Sequence, residues 1–194
     1  MAQFARCINS LTIKTGAGKD DVTTRHKATI DLGAGDDAIT FAVSLGSYNS
    51  ANSTVTGGTG KDAYNVSALV VNTGDTAADT AAEVLITITD FQAGDTIDFS
   101  AGSEDAETAL GAAVSTATAS NLADAITAIV VGAGTAGNHI AWGVYGGNTY
   151  VVHNADKGSG TDTAIESGDV IVKLSGVLDL SAAAFSDTGV LSLA

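Results

Sequence analysis

The feature that most constrains the fold is a glycine-rich stretch at residues 57–66, GGTGKDAYNV. It matches the nine-residue repeat G-G-x-G-x-D-x-U-x, in which U is a large apolar residue. Two looser copies precede it, GAGKDDV at residues 16–22 and GAGDDAI at residues 33–39. Only glycine readily adopts the positive φ values that so tight a turn requires. We therefore predict three tight turns, each followed by a short strand that starts at the apolar residue.

The three copies place an aspartate in the same slot, at Asp20, Asp37 and Asp62. Each glycine turn aims main-chain carbonyl oxygens inward, and the aspartate adds a carboxylate to that set of oxygens. Calcium takes about six to eight hard oxygen ligands, which is more than one such loop supplies. Two stacked loops would supply them, so the pattern predicts calcium sites between successive loops.

Residues 11–66 read as three turns of a coil, which we call rungs. Each rung has an alternating strand, a glycine-aspartate loop and a second apolar segment. The last glycines of the three loops, Gly18, Gly35 and Gly60, recur at unequal intervals, each long enough for one full turn of the coil. We expect the three loops to lie on one side of the coil, with ordinary turns closing the other side.

The segment EVLITITDFQAGDTIDFS at residues 83–100 leaves two alternatives open. Its apolar residues alternate as in strands, and Asp90, Asp95 and Asp98 flank a turn at Gly94. One alternative is that the segment closes the roll on the calcium side, with Asp90 and Asp95 among the ligands. The other is a plain hairpin with solvated acids.

Beyond residue 100 the sequence becomes alanine-rich and compatible with helix, over residues 103–131. Helices are predicted to start near Ser103 and at Ser120, and Leu122, Ile126 and Ile129 would share one face of the second. From His139 onwards the pattern returns to strands. We predict a mainly β fold with two domains: a short parallel calcium β-roll at residues 1–100, and a β region with one or two inserted α-helices at residues 101–194.

Composition narrows the class of partner. The 22 acidic and 8 basic residues give a formal charge of −14, which argues against a nucleic-acid partner and for cation binding. With Cys7 as the single cysteine, no intramolecular disulfide forms, so calcium would have to staple the fold. No window approaches the ~18 apolar residues of a membrane span, and no N-terminal signal peptide is apparent.

Several other motifs indicate structure rather than chemistry. The glycines of VVGAGTAG at residues 130–137 satisfy a dinucleotide-binding fingerprint, but no βαβ unit surrounds them, so we predict a glycine-rich linker into a hairpin. The histidines have no paired metal-ligand spacing, and no nucleophile elbow is present. Core and cross-strand roles are favoured over a sugar platform for the aromatic residues of the last third, Trp142, Tyr145, Tyr150 and Phe185.

The three loops, the segment ITDFQAGDTIDFS and the later run beginning WGVYGGNTYVVHNAD resemble the RTX family. The likeness is to the C-terminal regions of serralysin-type exoproteins and of RTX-type bacterial S-layer proteins. It implies a calcium-bound β-roll, and export by a type I ABC transporter that reads a C-terminal signal. By position it implies that Asp20, Asp37 and Asp62 bind calcium, with turns and carbonyls from Gly16, Gly18, Gly33, Gly35, Gly57, Gly58 and Gly60.

These observations predict a non-enzymatic function. We expect a secreted, calcium-dependent structural protein that self-assembles into a surface layer or extracellular fibre, with copies of itself and a cell-surface polysaccharide as partners. Two alternatives stay open. The chain is either the calcium-folded secretion and folding module of a larger exoenzyme, or an adhesin or carbohydrate-binding module that uses the aromatic hairpin at residues 142–150.

Overall fold

The chain has a mainly β fold, as the sequence predicts. The computed structural model describes residues 11–25, 27–42, 52–69, 86–99, 110, 112–136, 140–154, 169–186 and 188–193, with the backbone alone at 133–136. The strands in this part of the chain are β1 Leu11–Ala17, β2 Asp21–Thr24, β3 Ala28–Ala34, β4 Ala38–Phe41, β5 Thr54–Thr56, β6 Ala63–Asn65, β7 Ile86–Ile88, β8 Thr96–Asp98, β9 Ile140–Tyr145, β10 Asn148–His153, β11 Val170–Leu174, β12 Ala184–Phe185 and β13 Val190–Ser192. A helix, α1, spans Leu122–Ala136.

The first eight strands form a parallel β-roll. Odd-numbered strands β1, β3, β5 and β7 lie side by side in one sheet, and even-numbered strands β2, β4, β6 and β8 lie side by side in the other. Each rung therefore crosses from one sheet to the other through a glycine-aspartate loop. The three predicted rungs are confirmed. The hairpin alternative for residues 83–100 is wrong, because β7 and β8 lie in different sheets and form a fourth rung.

The register of the rungs shows where the chain varies in length. Between the first and second rungs, paired residues differ by the same amount in sequence number in both sheets. The same holds between the second and third rungs and between the third and fourth, although the difference grows at each step. Because the difference is equal on either side of each loop, the loops stay aligned, and the extra residues fall in sequence between the even-numbered strand of one rung and the odd-numbered strand of the next.

The core of the roll lies between the two sheets. Alternate residues of each strand point inward, as the period of two requires. In β3, for example, Ala28, Ile30 and Leu32 are buried. The other large side chains of the roll that are fully buried are Ile39, Phe41, Tyr64, Ile86, Ile88, Ile97 and Phe99.

The last third of the chain closes one end of the roll. β11 pairs in parallel with β7, and β13 pairs antiparallel with β8, so both strands of the fourth rung have a neighbour on their outer side. β9 and β10 form the predicted hairpin, and β10 pairs with β11. The pairing of β7 with β11 joins the two predicted domains in one sheet; their division at residue 100 stays a prediction.

Helix α1 packs on the outer face of the hairpin. The Asn121 side chain accepts a hydrogen bond from the Asp124 N–H at 2.9 Å, and the Asp124 carboxylate accepts one from the Ser120 N–H at 3.1 Å. These bonds make Asn121 the capping residue of a helix that begins at Leu122, so the predicted start at Ser120 is correct to within one residue. The packed residues of this second cluster are Ile126, Ile129, Val130, Ala141, Tyr150, Val152 and Ile171.

The predicted glycine-rich linker at 130–137 is wrong as far as Ala136, because Gly132 lies within α1. Its lack of a side chain suits this position, where a Cβ atom would lie 2.5 Å from Cγ2 of Val114. The predicted helix near Ser103 falls outside the described residues, and 112–116 are not helical. Within the described part of the chain, no helix is long and apolar enough to cross a membrane.

Candidate metal centre

The glycine-aspartate loops stack directly on one another along one side of the roll. Gly16 pairs with Gly33, and the Gly35 N–H donates to the Thr59 carbonyl at 2.8 Å. In the first three loops, six glycines have positive φ, namely Gly16, Gly18, Gly33, Gly35, Gly58 and Gly60. These are the second and third glycines of the repeat in all three loops, so the predicted reason for glycine is confirmed at these positions.

Stacked glycines also let carbonyl oxygens approach the next rung closely. A Cβ atom at Gly35 would lie 2.2 Å from the Gly18 oxygen, and one at Gly60 would lie 2.0 Å from the Gly35 oxygen. Any side chain at these positions would collide with main-chain oxygen. Glycine at these positions therefore keeps side chains away from the carbonyl oxygens of Gly18 and Gly35.

The aspartates form a ladder of hydrogen bonds between rungs. Oδ1 of Asp37 accepts from the Asp20 N–H at 2.8 Å, and Oδ1 of Asp62 accepts from the Asp37 N–H at 3.0 Å. Asp95 continues the series, because its Oδ1 accepts from the Asp62 N–H at 3.0 Å. Each carboxylate thus points back toward the rung before it, and the predicted slot of Asp20, Asp37 and Asp62 is one row in space.

The second oxygen of each aspartate in the first three rungs is unused by the protein. Oδ2 of Asp20, Asp37 and Asp62 is buried and has no hydrogen-bond partner among the described residues. A buried carboxylate oxygen without a partner costs free energy, and a row of like charges adds repulsion. A cation bound beside the row would offset both costs.

The pKa of Asp62 indicates how little positive charge the protein places near the aspartate row. Burial raises the pKa of Asp62 to about 6, and the hydrogen bond from the Asp37 N–H opposes that shift. The carboxylates of Asp95, Asp37 and Asp90 raise it further. Burial likewise raises the pKa of Asp95 above its ordinary value. The protein itself therefore supplies too little positive charge to hold these groups ionised at low cost.

The fourth loop has a different construction from the first three. Both oxygens of Asp95 are engaged, because Oδ2 accepts from the Gln92 N–H at 3.0 Å. Asp90 takes the place of the first glycine of the repeat, and its carboxylate accepts from the N–H groups of Gly57 and Gly58 at 2.9 and 2.7 Å. The Gln92 side chain donates to the Gly58 carbonyl at 3.0 Å. Protein groups thus close the end of the row.

The donor set of the row fits an oxygen-ligated cation. Among the described residues, no three His, Cys, Asp or Glu side chains come together as ligands of one metal. A cation here would have to combine aspartate Oδ2 atoms with loop carbonyls such as those of Gly18 and Gly35. Calcium is bound by carboxylate and carbonyl oxygens, whereas zinc and copper sites in proteins usually include nitrogen or sulfur ligands.

Two residues of this site were missed by the sequence analysis. Tyr64 occupies the apolar position of the third loop, yet its hydroxyl lies beside the carboxylate of Asp62, since both meet the space at Gly57. The second residue is Gln92, whose side chain donates a hydrogen bond to the Gly58 carbonyl. Comparison of the three loops could have identified Tyr64. Val22 and Ile39 hold the same position in the first two loops, and neither side chain has a polar atom.

The remaining predicted site residues lie as follows. Gly57 does not have the positive φ of the other loop glycines. Glycine is required there because a Cβ atom would collide with the oxygens of Asp62 and Tyr64. Its carbonyl accepts from the Gly33 N–H at 3.1 Å. Trp142 and Tyr150 are buried, in agreement with the predicted core role.

Comparison with solved structures gives a distant structural likeness. No protein-family model and no curated protein matches the chain. The solution structure of the AlgE6R2 subunit from the Azotobacter vinelandii mannuronan C5-epimerase is similar over 87% of this chain and 85% of that chain, at 17% identity and a TM-score of 0.29. At that TM-score the assignment of the site rests on the residues of this chain alone.

Proposed function

We propose that this chain is an extracellular structural module whose β-roll is folded and held by calcium. The observation that carries the proposal is the row of buried Oδ2 atoms of Asp20, Asp37 and Asp62, which have no partner among the described residues. These oxygens lie on the side of the roll where glycine keeps side chains away from the carbonyl oxygens of Gly18 and Gly35. The resemblance of the repeats to the RTX family supports the same ion.

Calcium suits the row better than magnesium does. Magnesium demands near-ideal octahedral geometry and retains several waters, whereas calcium accepts irregular sets of about six to eight protein oxygens. Stacked loops present carbonyl and carboxylate oxygens from two rungs at once, at the strand spacing of about 4.8 Å. A cage of this kind is built from the protein and favours the larger ion.

An extracellular location follows from the energetics of the proposed binding. A ligand that binds only the folded state stabilises it by RT ln(1 + [L]/Kd). With a Kd of about 0.1–1 mM, as in other extracellular calcium modules, millimolar calcium stabilises the roll and submicromolar calcium does not. Without the ion, the stacked carboxylates repel one another and oppose folding. The chain would stay unfolded at cytosolic calcium and fold outside the cell, which agrees with export of the RTX type.

The test is a calcium titration of the purified chain by circular dichroism, from excess chelator to several millimolar free ion. We expect the β signal and the unfolding temperature to rise with calcium, and an equal concentration of magnesium to produce much less of either change. If the chain has the same spectrum and unfolding temperature in chelator and in calcium, the proposal is wrong.

Self-assembly is a second proposed property, supported by the end of the roll at which β1 and β2 have no outer neighbour among the described strands. Strand β1 lies at the edge of its sheet, and its Leu11 is 41% exposed. The other end of the roll is closed by β11 and β13, so copies would join through first rungs. An exposed edge strand offers unpaired main-chain groups to a second chain.

The assembly proposal is tested by sedimentation in calcium. Leu11→Lys places a charge at the open edge, and we expect it to reduce the assembled fraction at least severalfold. Val177→Lys is the matched control, because Val177 is 67% exposed and lies in the segment between β11 and β12. A chain that stays monomeric in calcium at high concentration would contradict assembly and leave the calcium proposal standing.

A further inference from the structure

Tyr64 presents a buried hydroxyl to the aspartate row. Its side chain is 0% exposed, and its hydroxyl has no hydrogen-bond partner among the described residues. Asp62 is 1% exposed, and its Oδ2 atom is also without a partner there. A buried tyrosine hydroxyl normally finds a hydrogen-bond partner, so an unused hydroxyl beside an unused carboxylate oxygen needs an explanation.

Gly57 locates the two unused oxygens in one place. A Cβ atom at Gly57 would lie 2.1 Å from the Tyr64 hydroxyl oxygen and 2.4 Å from Oδ2 of Asp62. The two oxygens are therefore at most about 4.5 Å apart, the sum of those distances. Both lie against Gly57, and no hydrogen bond joins them. A group that satisfies both oxygens must offer positive charge to the carboxylate and a hydrogen-bonding atom to the hydroxyl.

We propose that Tyr64 is a positioning residue of the third loop's cation site, its hydroxyl hydrogen-bonded to a water molecule on the cation. This inference rests on the proposed calcium function. A neutral phenol is a weak ligand, whereas a water molecule bound to a cation satisfies both the hydroxyl and Oδ2 of Asp62. A buried water molecule requires about two to four polar partners, and the cation and these two oxygens provide them.

The arrangement is confined to the third loop. Val22 and Ile39 hold the position of Tyr64 in the first two loops, and Thr15 and Leu32 hold the position of Gly57. A side chain in place of Gly57 would fill the space that the Tyr64 hydroxyl reaches. Glycine and tyrosine therefore occur together in one loop, and the cation sites along the row are chemically unequal.

Terbium luminescence tests the placement of Tyr64. Tb³⁺ is an oxygen-seeking ion whose emission is sensitised by a tyrosine ring within a few ångströms. We expect Tyr64→Phe to lose most of the tyrosine-sensitised emission at saturation and to weaken calcium binding at one site, by about tenfold or less for one hydrogen bond. Tyr150→Phe is the control, because Tyr150 is buried in the separate cluster under α1.

Direct excitation of Tb³⁺ separates the two proposals. If the wild-type chain binds no Tb³⁺ by direct excitation and no calcium by titration, the calcium function fails and this inference fails with it. If Tb³⁺ binds with full stoichiometry and Tyr64→Phe leaves both the sensitised emission and the calcium affinity unchanged, Tyr64 is not at the site and the calcium function stands.

A second variant covers the case in which Tyr64→Phe does not fold. Replacing the other three tyrosines, Tyr48, Tyr145 and Tyr150, by phenylalanine leaves the third loop intact. The excitation spectrum of bound Tb³⁺ should then still show the tyrosine band. Its absence from a folded, Tb³⁺-loaded chain would overturn the inference.

Discussion

The Oδ1 atom of Asp62 accepts a hydrogen bond of 3.0 Å from the main-chain N–H of Asp37, the residue that holds the same slot one rung earlier. This bond uses one carboxylate oxygen to lock two rungs together and leaves the other oxygen, Oδ2, buried in the row without a partner among the described residues. The Asp62 side chain therefore links two rungs and is also a candidate ligand of the cation. Variants of the row should reveal these two roles separately.

Asp37→Asn keeps a side-chain oxygen for the Asp20 N–H but removes a negative charge from the row. We expect calcium affinity to fall about tenfold or more, since affinity at such sites follows ligand charge. In chelator the same variant should be more stable than wild type, because less repulsion remains. Calorimetric titration measures the calcium affinity, and the β signal by circular dichroism in chelator compares the folded fractions of the two chains.

Asp31→Asn is the control for that variant. Asp31 forms an exposed ion pair with Lys14 at 3.0 Å, outside the aspartate row. An exposed pair contributes at most about 1 kcal/mol to the free energy of unfolding. Equal loss of calcium affinity in the two variants would contradict a specific role for Asp37.

Gly57→Ala should destabilise the roll by about 1–3 kcal/mol, the usual cost of overpacking. Its Cβ atom would collide with the Tyr64 hydroxyl and with Oδ2 of Asp62. Adding Tyr64→Phe removes one of the two collisions, so the cost of Gly57→Ala should be smaller in that background. Urea unfolding of the four chains in calcium gives this comparison.

Gly58→Ala should behave differently from Gly57→Ala. Gly58 has a φ of +99°, and its Cβ atom would lie 1.8 Å from the Gly33 carbonyl oxygen. Tyr64→Phe changes neither of these features. If Tyr64→Phe also lowered the cost of Gly58→Ala, the lower cost at Gly57 could not be assigned to a collision with the Tyr64 hydroxyl.

The stability of the cation-free chain should depend on pH through Asp62. Its pKa in the folded state is raised to about 6 from an ordinary value of 3.8, so the folded state holds the proton more tightly. The resulting stabilisation is complete below about pH 4 and is lost as the pH rises through 6. We therefore expect the cation-free chain to retain more β signal by circular dichroism at pH 5 than at pH 7.

Saturating calcium should reverse this trend. The ion competes with the proton for Asp62, so the calcium-loaded chain should gain stability as the pH rises from 5 to 7. In the cation-free chain, Asp62→Asn should flatten the dependence, because no proton is taken up at that position. Identical pH profiles with and without calcium would argue against Asp62 as a ligand.

Asp90→Asn tests the closed end of the row. The Asp90 carboxylate accepts from the Gly57 and Gly58 N–H groups, and the amide can accept from only one of them. We expect a loss of about 2 kcal/mol in the free energy of unfolding. The calcium stoichiometry should stay the same, because both oxygens of Asp90 already have partners. A lower stoichiometry in calorimetric titration would identify Asp90 as a ligand instead.

The sequence was sufficient to predict the rungs and the slot of the aspartates. Glycines at fixed spacing from Asp20, Asp37 and Asp62 specify the turn locally, so they can be recognised without tertiary information. The fourth rung was left open because its loop, DFQAGD, lacks glycine at the usual positions. Its membership of the roll depends on pairing with β5 and β6, which lie far from it along the chain.

Tertiary contacts explain what the sequence analysis missed. Gly132 would ordinarily weaken a helix, but α1 continues through it where a larger residue would meet Val114. Tyr64 was predicted as an apolar core residue, and its ring is buried in the core. Only the position of its hydroxyl relative to Gly57 connects it to the aspartate row.

The equal register on the two sides of each loop has a consequence for how such a chain can change. Rungs of three different lengths share one loop geometry, so chain length is tolerated on one side only. The register along the aspartate side is fixed, and the additional residues fall between the even-numbered strand of one rung and the odd-numbered strand of the next. A peptide inserted between β4 and β5 would be displayed on the roll, and the distance from one aspartate carboxylate of the row to the next would stay the same.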